Sequence, residues 1–206
     1  MTEAEWLACA DPDQMLDWLT DGWGAQSDGG VRHLPGCSSR AASERKLRLF
    51  TCAAVRFMWA GLPPTAVQET LTQGEQAEAA EGFPEDWLSI MNSMVRAAEG
   101  QERPRYAHFL RDIFGNPFKR KFWAESWEQK ANGHVIVDPA WVRWQDGTVA
   151  TIAQAIDEGG KFEEMPILAD ALDDAGCDNE DLLRHCRAEG PHVRGCWALD
   201  LLLGKE

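Results

Sequence analysis

Tyrosine is almost missing from this chain, with one residue among 206 against ten tryptophans and eight phenylalanines. Aromatic burial therefore falls to side chains that carry either no polar atom or a single indole N–H. Each buried tryptophan then needs an acceptor at an element end or in a groove. Positive charge is also scarce. Twenty Lys and Arg stand against 34 Asp and Glu, a formal net charge of -14. Such a field repels nucleic-acid phosphate and anionic lipid and suits a basic protein partner, so nucleic acid is an unlikely ligand. No apolar run approaches the ~20 residues needed to cross a bilayer. The acidic start, MTEAEWLACADPD, lacks the basic-then-apolar order of a secretory signal. Cysteines in helical, apolar contexts point to reduced thiols and a cytoplasmic setting.

Signature motifs are absent too. The chain holds no G-x-G-x-x-G, no P-loop, no H-E-x-x-H and no Cys-x2-Cys knuckle. The acidic run from Asp170 to Asp181 lacks calcium-loop spacing and reads as helix N-terminal charge. What remains is a globular composition, 44% hydrophobic and 26% charged, long enough for one domain or two small ones.

The periodicity is helical nearly throughout. Thr2 and Glu5 form a capping box, and Pro12 opens a second helix with Met15, Leu16, Trp18 and Leu19 on one face. Residues 21–42, rich in glycine and serine, read as a loop or mobile insertion. Ser43 caps a helix to about Ala60 that carries Cys52 as a buried thiol. Further helices are expected over about 64–80, 84–99 and 104–114, ending at Gly115-Asn116-Pro117. Phe118–Lys130 interleaves Lys119, Arg120 and Lys121 with Phe122, Trp123 and Trp127. That mixture suits single-stranded nucleic acid, but in so acidic a chain it reads as a helix with an aromatic face. His134–Val137 is strand-like and too short to stand alone. From Asp138 onward the helices are short and sharply capped by Thr148, Gly159-Gly160, Pro166, Gly176 and Asp178. The expected fold is mainly α, a compact multi-helix bundle over 1–206, with a subdivision into 1–117 and 138–206.

Chemistry concentrates near the C-terminus, where the window Cys177–Cys196 holds Cys177, His185, Cys186, His192 and Cys196. On a helix from about Asn179 to Arg187, Leu182 and Cys186 share an apolar stripe, whereas His185 projects about 100° away. The candidate metal ligands are therefore Cys177, His185, His192 and Cys196. Two thiolates and two imidazoles suit tetrahedral Zn²⁺, with Asp181 or Glu189 orienting the His185 ring. Two other readings stand beside this one. Cys177 and Cys186 serve as small core residues, with His192 fixing a turn and Cys196 packing beneath Trp197. Alternatively, Cys196 is a catalytic nucleophile at a helix start, with Arg194 near it and His192 as its base.

The segments LRDIFGNPF (Leu110–Phe118), DPAWVRW (Asp138–Trp144), PILADALDDAGC (Pro166–Cys177) and HCRAEGPHVRGCWALDLLLGKE (His185–Glu206) resemble a bacterial family of small, mainly helical proteins. The opening MTEAEWLACADPDQMLDWL and the stretch SERKLRLF resemble it as well. The resemblance implies a mainly helical fold and no particular activity, cofactor or substrate. Against that family's pattern, residues 21–40 and 119–135 look like insertions, and Ala53 and Ala54 stand near a family cysteine pair. Two functions are expected from these readings. One is a non-enzymatic interaction module that offers an acidic, Trp-rich surface to a basic protein partner. The other is a metal- or thiol-dependent enzyme built on the C-terminal Cys/His cluster.

Overall fold

In a computed structural model, residues 1–20, 23–25, 31–33, 43–58, 87–118, 121–123 and 135–205 are described. The fold is mainly α, and the chain divides into two compact units, Met1–Asn116 and Pro117–Glu206. Among the described residues no helix is long and apolar enough to cross a membrane. The cysteines described are free thiols.

The first unit contains α1 (Glu3–Ala8), α2 (Pro12–Thr20), a strand pair β1 (Trp23–Ala25) and β2 (Val31–His33), α3 (Glu44–Met58), α4 (Trp87–Ala97) and α5 (Glu102–Phe114). The Thr2–Glu5 capping box forms as its spacing requires, with the Thr2 side chain accepting from the Glu5 N–H. Helices α2 and α3 both pack on α5 and on α4. The core between them is aromatic. Tyr106 meets Phe50 and Phe57 edge-on, and Phe57 meets Phe109 in the same way.

Side-chain donors reach across this unit to backbone carbonyls. The Trp6 indole N–H donates to the Gly115 carbonyl at 3.0 Å, with the ring fully buried. That carbonyl is exposed for bonding because α5 stops at Gly115, whose φ of 63 is a conformation that L side chains disfavour. Arg111 donates to the carbonyls of Trp6 at 3.1 Å, Ala107 at 3.3 Å and Cys9. Lys46 donates to the Ile113 carbonyl at 2.8 Å.

The second unit holds β3 (Lys121–Trp123), β4 (Val135–Val137), α6 (Pro139–Gly159), a 3₁₀ turn (Phe162–Glu164), α7 (Met165–Asp174), α8 (Glu180–Cys186) and α9 (Trp197–Leu203). Helix α6 is broken at Trp144–Gly147, where Gln145, Asp146 and Gly147 all take positive φ. The Thr148 hydroxyl bonds back to the Gln145 carbonyl at 2.9 Å and so ties the break. From there α6, α7 and α8 pack in sequence, and α9 returns onto α6 and α8. Their contact faces are aliphatic: Val149, Ala153, Ile156, Leu168, Leu172, Leu182 and Leu202.

Three local expectations change. Residues 23–25 and 31–33, read as loop, form an antiparallel ladder pairing Gly24 with Arg32. Residues 121–123, read as helix, form a parallel strand against 135–137, pairing Phe122 with Ile136. A β-branched VIV segment too short to stand alone needed a partner strand, and the aromatic KFW supplies one. The cap of α8 is Asn179, whose side chain accepts from the Leu182 N–H, and not Asp178. The helix expected over 64–80 lies outside the described residues.

Candidate functional site

The cluster is built on the two short helices α8 and α9 and the turns between them. Helix α8 starts at its Asn179 cap and presents Leu182 and Cys186 to the core, both fully buried. His185, one residue earlier, points to the side of that stripe and is half-buried. Past Arg187 the chain leaves the helix, turns at Gly190-Pro191 and brings in His192, 9% exposed. A four-residue turn follows, closed by the Cys196 N–H on the Val193 carbonyl at 3.0 Å. Gly195 holds its third position at φ 88, where a turn of this kind needs glycine. Cys196 is then locked as the N-cap of α9, its carbonyl accepting from the Asp200 N–H at 3.0 Å. Arg194 ties the same turn to the end of α6 through the Glu158 carbonyl.

His185, His192 and Cys196 converge. His185 Nε2 stands 3.1 Å from Cys196 Sγ, and His192 Nδ1 stands 4.0 Å from the same sulfur. The two imidazoles meet edge to face with centroids 4.9 Å apart, and the Trp197 ring backs His185 at 4.8 Å. One donor atom from each of the three residues lies within 4.8 Å of the others. A tetrahedral zinc with bonds of about 2.05 Å to nitrogen and 2.3 Å to sulfur separates those two donors by about 3.6 Å. The observed 3.1 and 4.0 Å fall on either side of that value.

Cys177 is the member of the sequence-read ligand set that does not join. It lies in the aliphatic core, and its backbone N–H closes the end of α7 on the Leu172 carbonyl at 2.9 Å. Its position at a helix end, facing the core, keeps it out of the converging donors. Cys186 is also a core residue, as its stripe predicts. Asp181, one carboxylate expected to orient His185, accepts from the Arg184 guanidinium, and Glu189 is exposed. Sequence reasoning also named His192 as the base for Cys196, whereas His185 is the nearer imidazole. A helical wheel places residues only within one helix. The path of the turns at 187–195 decides which ring meets the sulfur.

Five of the ten tryptophans have described side chains. Trp6, Trp141 and Trp197 are buried, while Trp18 and Trp144 are half-buried. Among tryptophans whose side chains are described, none is exposed. No family model, curated protein or solved structure matches this chain. The roles of these residues therefore rest on geometry and chemistry alone.

Proposed function

We propose that the second unit is a metal-binding domain in which His185, His192 and Cys196 hold Zn²⁺ or a cation of similar preference. The observation that supports this reading is the convergence of two imidazole nitrogens on one thiol at separations that bracket those of a tetrahedral zinc site. Two nitrogens and a sulfur favour a borderline-soft ion over calcium or magnesium, which take oxygen ligands. The ligands also span a stretch with no regular helix or strand, 187–195. A bound ion would clip that stretch closed, so binding energy becomes folding energy.

Zinc titration of metal-stripped protein, followed by thermal unfolding, tests the proposal. At a free concentration a hundredfold above Kd, zinc stabilises by about 2.7 kcal/mol. His192→Ala and Cys196→Ser abolish this gain, whereas Cys177→Ala retains it. An unfolding midpoint that ignores zinc, or a Cys196→Ser protein that still responds, contradicts the proposal.

A second reading rests on the 3.1 Å approach of His185 Nε2 to Cys196 Sγ. That pair suits a thiolate nucleophile activated by imidazole. Complete burial of the sulfur counts against it, because a substrate must reach the atom. In metal-free protein, alkylation of Cys196 that slows in His185→Ala supports this reading, and an inert thiol opposes it.

A further inference from the structure

We infer that Trp197 is a positioning residue of the metal site, an inference that rests on the metal reading above. Its indole holds the His185 imidazole with Nε2 toward Cys196 Sγ, and so sets metal affinity without ligating the ion. Indole offers only an N–H donor, so a ligand role is closed to Trp197 itself.

The three ligands are not held equally. Cys196 is fully buried and fixed as the α9 N-cap, and His192 is 9% exposed. His185 is half-buried and sits in the last turn of α8, a helix of seven residues. Helix ends fray, so backbone geometry alone fixes this ring least. Yet His185 makes the closest approach in the cluster, Nε2 to Sγ at 3.1 Å. Two ring contacts constrain it. His192 meets the imidazole edge to face, and Trp197 lies against it at 4.8 Å between centroids, with the planes tilted by 48°.

Those contacts differ in what stands behind them. His192 is itself a ligand, carried on the irregular stretch between the helices. Trp197 is 6% exposed and belongs to the core of the unit, together with Leu182 of α8 and Leu202 of α9. It is the first residue of α9, directly after Cys196. One helix start thus supplies a ligand and, one residue on, the wall that aims a second ligand at it. The carboxylate named from the sequence for this task, Asp181, is engaged with Arg184 instead. Loss of such an outer partner changes metal affinity by about 10–100-fold.

Zinc affinity of the full-length, metal-stripped protein, measured by competition with a chromogenic chelator, tests the inference. Trp197→Leu keeps an apolar side chain but no ring, and it weakens zinc binding about tenfold. Trp197→Phe keeps an aromatic face and stays within about threefold of the wild type. Leu168→Ala, which opens the same core from α7, lowers the melting temperature and leaves zinc affinity unchanged. In the metal-free wild type, the Trp197 ring current moves the His185 ring protons upfield in the NMR spectrum. Wild-type affinity in Trp197→Leu overturns the inference and leaves the metal reading standing. So does an equal loss in Trp197→Phe or Leu168→Ala, or a His185 ring with ordinary shifts. A wild type that binds no zinc overturns the metal reading and this inference with it.

Discussion

The two units reach a packed helical core by different routes. In the first, Trp6, Arg111 and Lys46 send side-chain donors to carbonyls that lie 67 to 109 residues away in sequence. In the second, neighbours in sequence pack on one another, and Lys205 bonds Asp157 at 2.8 Å across 48 residues. The first unit's core holds an edge-to-face cluster of Phe50, Phe57, Tyr106 and Phe109, whereas the second's is mostly aliphatic. The first therefore depends on a few long-range polar ties that leave carbonyls stranded when cut. The second depends on caps and turns, and its His185, His192 and Cys196 meet across a stretch without regular helix or strand. That contrast separates residues that serve the fold from residues available for chemistry.

The largest expected loss comes from the first unit. Trp6→Ala removes a fully buried ring and its bond to Gly115, and it should destabilise by about 4 kcal/mol in urea unfolding. A loss under about 1 kcal/mol would show that α1 is not anchored through this ring. Next, Arg111→Met strands the Trp6 and Cys9 carbonyls and should cost about 2–3 kcal/mol. Burial already holds the Arg111 guanidinium below its ordinary pKa, so the apolar substitute recovers part of the desolvation cost. In the second unit, Cys186→Ala should cost about 1 kcal/mol through packing and leave any zinc response intact. A lost zinc response in that variant would break the division between core cysteine and ligand cysteine.

Two smaller effects sharpen the comparison. The Tyr106 hydroxyl is buried with no hydrogen-bond partner among the described residues, and burial, aided by the nearby Glu102 charge, pushes its pKa up to about 12. Tyr106→Phe removes an unmet donor and should stabilise by about 1 kcal/mol. A destabilised variant would show that the hydroxyl finds a partner in solution. At Asp11 burial raises the carboxyl pKa, but bonds from Gln14, Arg103 and Asp13 outweigh it and hold the pKa below the ordinary value. A depressed folded pKa contributes stability that is present above the unfolded value near 3.9 and is lost as pH falls through the folded one. Acid unfolding should therefore show a small proton uptake in that range, and Arg103→Gln should diminish it.

The sequence was legible where a local rule decides the outcome. The Thr2–Glu5 box, Pro12 at a helix start, the Gly115 stop and the Leu182–Cys186 stripe all follow from spacing within one turn of helix. It was less legible where long-range geometry decides. The strand at 121–123 forms only because 135–137 needs a partner, a pairing across a gap that periodicity cannot see. In the same way, four ligand candidates were readable as a cluster of types. Their convergence depends on two turns whose path is set by Gly190-Pro191 and Gly195, and this admits His185, His192 and Cys196 while leaving Cys177 in the core.

Metal analysis of protein purified without added zinc or chelator tests the central claim most directly. We expect about one equivalent of zinc per chain in the wild type and in Cys177→Ala, and none in His192→Ala or Cys196→Ser. Metal-free wild-type protein that also fails to take up zinc on titration would contradict the account.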